Sequence, residues 1–521
     1  MEITITEDAA LQLFIKNKNI ERKLITHLTI YNCKKITTYS LAGIIGNLSA
    51  LIEFTIDNCI NLKHLPDNIC QLRALTRLNI YNCNNITLYS LSESFGNLGA
   101  LTTFQIISCK KITHLPESLG QLGALTELMI QLCNKLTHLP ESIGNLSALT
   151  TFKIISCNNL THFPDSLCQL SALTTLDIRD CNKLTHLPEN IGRLGALTTF
   201  QIISCNNLTH LPDNIGQLGA LTTFQIISCN KLTLYSLTDS FGNLRALTTF
   251  QIISCKNLTH LPERIGNLLT TLIIGNCNKL TLNSLTASFC NLHALTSFEI
   301  FNCKKITHLP HSIGNLRELT TIYINNCNNL TQLPESIGNL RALSKIYIYN
   351  CNKLTLNSLT ESIGNLLALT IFYIYNCDNL THLPESFGKL SALTKFKIFH
   401  CNNLTHLPES IGQLRALTTF KIFNCNKLTK IPDSICQLSA LTTFEITNCD
   451  KLTHYVLPNS ICFCKNLQSI YISNINMLPP SMILLENLNE INFINKDYTK
   501  TKQNINDIRT LWFRILKNTL I

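Results

Sequence analysis

Leu197 to Ala220 reads LTTFQIISCNNLTHLPDNIGQLGA, and close copies of this stretch fill most of the chain. Its cysteine recurs 18 times, from Cys33 to Cys449, mostly at intervals of 24 residues. Two weaker units follow, around Ile470–Ile472 and Ile491–Phe493. Five intervals lengthen to 26, as where LTHLPDNIG gives way to LTLYSLTDSFG at Leu232–Gly242; one, Cys255 to Cys277, shortens to 22. Changes of length confined to one arc belong on a loop, because a strand ladder would slip register.

Within the unit, Phe200 and Ile202 alternate with Thr199, Gln201 and Ile203, which predicts a short strand with Phe and Ile inward. Cys205, Leu208, Leu211, Ile215 and Leu218 then return every three or four residues and keep an apolar side inward around the turn. Pro212-Asp213 predicts the first turn of a short helix, since Pro suits that position and an acid complements the exposed N–H groups. So few residues remain before the next strand that one or two turns of helix or 3-10 helix is the most that fits. Successive strands must lie parallel about 4.8 Å apart, so about 20 of them predict an arc of roughly 95 Å. No rung covers its own core, and stability comes from stacking. The expected fold is an α/β-type repeat solenoid: an N-terminal cap at 1–23, about 20 repeats over 24–494, and a cap at 495–521. In the last segment Ile508, Leu511, Trp512, Ile515 and Leu516 follow a helical period.

Leu197, Phe200, Ile202, Cys205 and Leu208 spell LxxFxIxxCxxL, which resembles the leucine-rich-repeat superfamily in its cysteine-bearing form. Leu211, Pro212, Ile215, Gly216 and Leu218 add LPxxIGxL, similar to repeats of plant nucleotide-binding immune receptors and related intracellular proteins. The resemblance spans Leu24 to about Ile494. It implies a horseshoe whose concave parallel sheet often binds proteins, with short helical or 3-10 turns on the convex side. The chain departs from those receptors in lacking GxxxxGK[ST]: Gly388-Lys389 is followed by Leu390 inside an ordinary repeat.

Composition narrows the classes further. Of 521 residues, 45% are hydrophobic and 14% charged, too apolar for disorder. The net charge of +10 arises from cations scattered singly or in pairs, with no basic run of five or more and without the clustered basic face of a nucleic-acid binder. No stretch approaches the ~18 apolar residues of a membrane span. The start, MEITITEDAA, has no basic residue or apolar run of a secretory signal, so a cytoplasmic monomer is expected, with non-classical export the exception.

Several columns invite a chemical reading. Adjacent cysteines ~4.8 Å apart fall inside the disulfide range, yet an inward ladder of thiols suits a core turn in a reducing compartment. Cys70, Cys168, Cys290, Cys436 and Cys462 occupy the column that Gly216 represents, so that column does not require positive φ. Cys464 falls in the inward Leu column. The period supplies no partners for a metal site. Eleven of 15 histidines share one column before Leu-Pro, among them His114, His138, His162, His186 and His210. Metal capture or pH sensing are the functional possibilities there, and a solvated rim position copied by duplication is the plainer one. Every candidate nucleophile and base recurs by period, whereas catalysis needs one unlike constellation in one pocket. The expectation is therefore no enzyme, no cofactor and no metal.

The informative positions are those where repeats disagree. Outward strand residues are Thr, Gln and Ile around Thr199, Gln201 and Ile203, but change from Phe301 onward. One column becomes Tyr323, Tyr347, Tyr373, Lys397 and Lys421; beside it run Phe301, Asn325, Tyr349, Tyr375, Phe399 and Phe423, flanked by Lys345 and Lys395. Tyr with a cation is the mixture that concentrates energy in protein interfaces. These residues are the expected partner-binding site of a non-catalytic interaction scaffold. The alternatives are a structural or adhesive surface protein of a microbe, or a host-directed effector.

Overall fold

In the computed structural model, residues 1–17, 21–88, 93–233, 240–281, 289–355, 361–452, 457–473, 478–494, 500–503 and 510 are described. The expected C-terminal helix at 508–516 and most of the added residues in the 26-residue rungs lie outside them.

The chain divides into two compact units, Met1–Asn267 and Leu268–Ile521. The first contains β1 (Glu2–Ile5), β2 (His27–Tyr31), β3 (Glu53–Asp57), β4 (Arg77–Tyr81), β5 (Thr103–Ile107), β6 (Glu127–Gln131), β7 (Thr151–Ile155), β8 (Thr175–Arg179), β9 (Thr199–Ile203), β10 (Thr223–Ile227) and β11 (Thr249–Ile253). They form a parallel sheet in chain order. The second contains β12 (Thr271–Gly275), β13 (Ser297–Phe301), β14 (Thr321–Asn325), β15 (Lys345–Tyr349), β16 (Ile371–Tyr375), β17 (Lys395–Phe399), β18 (Thr419–Phe423), β19 (Thr443–Thr447), β20 (Ser469–Ile472), β21 (Glu490–Ile494) and β22 (Lys500–Gln503). These too are parallel and sequential, except that β22 runs antiparallel to β21.

Register explains why rung length can vary. Thr223 pairs with Thr249, and Lys345 with Ile371, across 26-residue steps, while Thr199 pairs with Thr223 across 24. The extra residues are taken up outside the strands. Before β3 they extend the turn into an α-helix, α2 (Thr38–Ile45), whose capping box joins Thr37 to Ser40. The earlier helix α1 (Asp8–Lys16) buries Leu11 and Phe14.

The inward pattern holds throughout. Phe200, Ile202, Cys205, Leu208, Leu211, Ile215 and Leu218 are all fully buried, and like residues stack on like: the Phe200 and Phe224 rings are 5.2 Å apart. Most rungs close with one short 3-10 turn, such as Asp213–Gln217. Pro212 precedes that turn in extended conformation rather than occupying its first position, which corrects the expected placement by one residue. The ring fixes φ at the entry, and Asp213 then opens the turn.

The glycines of the LPxxIG column have no positive φ, as the cysteine substitutions implied. Their role is close approach: a Cβ on Gly144 would overlap the carbonyl oxygen of Ser166 in the next rung. Where Cys168 replaces Gly, the next rung's turn starts at Ile191 and spans only Ile191–Arg193, two residues late.

A second column was not read from the sequence. Eighteen residues, each immediately before a column cysteine, adopt left-handed φ of 50° to 59°. Most are Asn, which tolerates this conformation and can bridge rungs: Asn302 Nδ2 donates to Asn276 Oδ1 at 2.7 Å and Asn376 Nδ2 to Asn350 Oδ1 at 2.6 Å. A threonine spine accompanies it. Thr126, Thr150, Thr174 and Thr198 each donate Oγ1–H at 3.0 Å to the carbonyl of the threonine 24 residues earlier.

Candidate functional site

The cysteine column is core. Cys205 is fully buried, and its thiol lies 3.6 Å from the Ile203 carbonyl oxygen and 3.9 Å from that of Ile178. Burial pushes the Cys133 and Cys327 thiols up to about 11, and Cys181 and Cys229 up to about 12. The described histidines of the column lie on the rim, half-buried or exposed. His138, His162, His186 and His210 each hold Nδ1 2.8 to 2.9 Å from the hydroxyl of the preceding threonine. Among the described residues, no group of three or more His, Cys, Asp or Glu is placed to hold a metal ion. No described helix is long and apolar enough to cross a membrane.

On the outward face of the second unit, strand pairing sets the singled-out residues in rows. Tyr323, Tyr347, Tyr373, Lys397 and Lys421 are successive register partners, and Glu445 follows them. The neighbouring row is Phe301, Asn325, Tyr349, Tyr375, Phe399 and Phe423. Lys345 and Lys395 lie in a third row with Ile371 between them.

The rings make one connected cluster. Tyr323 lies 5.4 Å from Tyr349, Tyr349 4.9 Å from Tyr375, and Tyr375 4.5 Å edge-on to Phe399. Tyr347 meets Tyr373 edge-on at 5.4 Å. Partial burial, with neighbouring phenols next in weight, pushes the Tyr349 and Tyr375 hydroxyls up to about 12.

Two singled-out residues fall away from this surface. Phe423 points to the same face but is only 7% exposed, because Phe399 and His400 close over its ring edge-on at 5.7 and 5.2 Å. Phe301 lies over β12, where a Cβ on Gly275 would overlap its ring.

The cations are of two kinds. Lys421 Nζ donates to Glu445 Oε2 at 2.7 Å and sits 5.1 Å from the Tyr471 ring centroid. It is already engaged. Lys397 Nζ lies 4.4 Å from the Tyr373 ring centroid, and burial followed by repulsion from Lys421 lowers its pKa. Lys345 and Lys395 are exposed. Glu445 and Tyr471 were not singled out from the sequence, although both continue the Tyr323 column by register. In the first unit, by contrast, Arg77 lies 3.6 Å from Glu53, and Arg179 lies 2.7 Å from Asp177 and also reaches Gln201.

Comparison with known proteins agrees with this architecture. The family model described as a leucine-rich repeat region matches residues 272–403, which run from β12 past β17. No curated protein matches the chain. A chain of the Toll–Spätzle complex from Drosophila is 14% identical, with 89% of this chain and 59% of that one covered and a TM-score of 0.60. A leucine-rich-repeat protein of Leptospira interrogans is 23% identical over 88% of this chain and all of its own, with a TM-score of 0.48. An internalin of Listeria monocytogenes is 19% identical over 63% and 82%, at 0.39. The Toll likeness concerns the fold alone.

Proposed function

We propose that this leucine-rich-repeat solenoid is a non-catalytic interaction scaffold that holds a protein partner on the outward sheet face of β14–β18. The observation that carries the reading is the connected tyrosine cluster, half-exposed on strands whose equivalents β9 to β11 in the first unit present Thr, Gln and Ile. Contiguous exposed aromatic surface is unusual unless something covers it, and Tyr beside a cation is typical of interface hot spots. The unlike residues lie on this face, while the His and Cys columns repeat rung after rung, which favours recognition over catalysis. The buried thiol ladder suits a monomer working in the reducing cytoplasm.

The test is proximity cross-linking of partners in the native cell with wild type and two variants. Tyr347, Tyr349, Tyr373 and Tyr375 changed together to Thr should weaken the partner at least about thirtyfold. Thr199, Gln201, Thr223 and Gln225 changed to Ala should leave it bound. A partner lost by the second variant and kept by the first places the site elsewhere.

A further inference from the structure

The face from β14 to β18 is unbalanced in charge. Its outward positions carry Lys345, Lys395, Lys397 and Lys421 and no carboxylate, and only Lys421 is served, by Glu445 on β19. Lys397 has no ion pair among the described residues. It is nevertheless partly buried, its ammonium over one face of Tyr373 and crowded by Lys421 and Lys395, against which the more distant Glu445 is only a partial offset. Partial burial of a charge without a paired counter-ion is unfavourable, and a carboxylate arriving from outside would relieve it.

Building on the proposed binding face, we infer that its occupant is an extended acidic peptide segment. Its carboxylates meet Lys397 and the exposed Lys345 and Lys395, while an intervening aromatic or aliphatic side chain rests on Tyr347 and Tyr373. The rows set the spacing. Lys345 and Lys395 stand in one row two strands apart, roughly 10 Å at about 4.8 Å per strand. A chain in the extended polyproline II conformation, with three residues per turn and ~3.1 Å per residue, covers about that distance in three residues and returns every third side chain to the same side, so the fitting pattern is an acid, two residues, and a second acid. Nucleic acid fits less well. Bases stack on separated platforms, whereas these rings touch one another at 4.5 to 5.4 Å and leave no slot between them.

A displayed library of random dodecapeptides, selected on the intact chain, tests this. Synthetic winners are then measured by fluorescence anisotropy at low and high salt. Sequences with Asp or Glu three apart and an apolar residue between should be enriched. Their affinity should fall at least tenfold with K345Q/K395Q/K397Q, equally when the peptide acids become Asn or Gln, and further as salt rises. Neutral or basic winners that the tyrosine variant loses and the lysine variant keeps would overturn the acidic chemistry while leaving the binding face in place. Winners indifferent to both variants, or no enrichment, would overturn both readings. Single-stranded DNA or polygalacturonate binding more tightly than any peptide, and lost in the lysine variant, would overturn the peptide class.

Discussion

Glu445→Gln probes stability and recognition together. Glu445 accepts from Lys421 at 2.7 Å, with side chains 11% and 25% exposed. Breaking a fully buried pair from one side costs about 3–5 kcal/mol. Lys421 keeps some water, the Tyr471 ring and the amide oxygen of the new Gln, so about 2 kcal/mol is expected here. Replacing both partners with methionine should cost less than the single change, because no charge is then left behind. Solenoids need not unfold in one step, so the suitable readout is native-state hydrogen exchange of the amides in β18 and β19. The single change should also strengthen binding of an acidic peptide. A freed ammonium about 10 Å from a bound carboxylate contributes roughly 0.4 kcal/mol even at the dielectric of water, about twofold in affinity. The reasoning fails if the double variant is as damaged as the single one, or if acidic peptides bind Glu445→Gln more weakly than wild type.

Three further outcomes are expected. Rapid reaction with an aromatic disulfide reagent at pH 8 should be confined to Cys70, Cys290, Cys436 and Cys462, which are exposed or half-buried; fast labelling of the column cysteines would contradict their burial. Gly144→Ala should destabilise by about 1–3 kcal/mol, because its Cβ overlaps backbone of the next rung. Gly123→Ala, with nothing within 4 Å, should be neutral or slightly stabilising in the same denaturation assay. Finally, Tyr349 and Tyr375 should titrate late in ultraviolet absorbance, near pH 12. The unfolded chain releases phenolic protons near pH ~10, so it binds fewer protons than the fold between these values. Stability from this source is full below about pH 10 and falls as pH rises toward 12; Tyr349→Phe and Tyr375→Phe should remove that late phase.

The rungs were readable because their physics is periodic. Phe200 and Ile202 announce a strand by alternation, and Leu208 to Leu218 announce the wrap by spacing. What escaped depended on backbone conformation and contacts between rungs. The left-handed column shows in the sequence as Asn before Cys, but Ser108, Leu132 and His400 interrupt it, and hydrophobic pattern does not report φ. Gly144 gave the correct absence of positive φ, while the overlap with Ser166 depends on how closely neighbouring turns approach. At the candidate face, register assembled the rows as their spacing suggested. The covering of Phe423 by His400 and the capture of Lys421 by Glu445 depend on side-chain directions that spacing does not encode.

The threonine spine also bears on how such a chain can change in length. Each bond joins a threonine to its equivalent one rung away, and the rungs from Thr126 to Thr222 offer the same donor and acceptor. Gain or loss of a whole unit there by misaligned recombination would therefore reseal the spine without a mismatched partner. The tyrosine rows have no such interchangeability, since removing β15 or β16 deletes half of the four-tyrosine cluster. Alleles of this protein should accordingly differ in copy number among the uniform rungs near β9 to β11, and keep β14 to β18 intact.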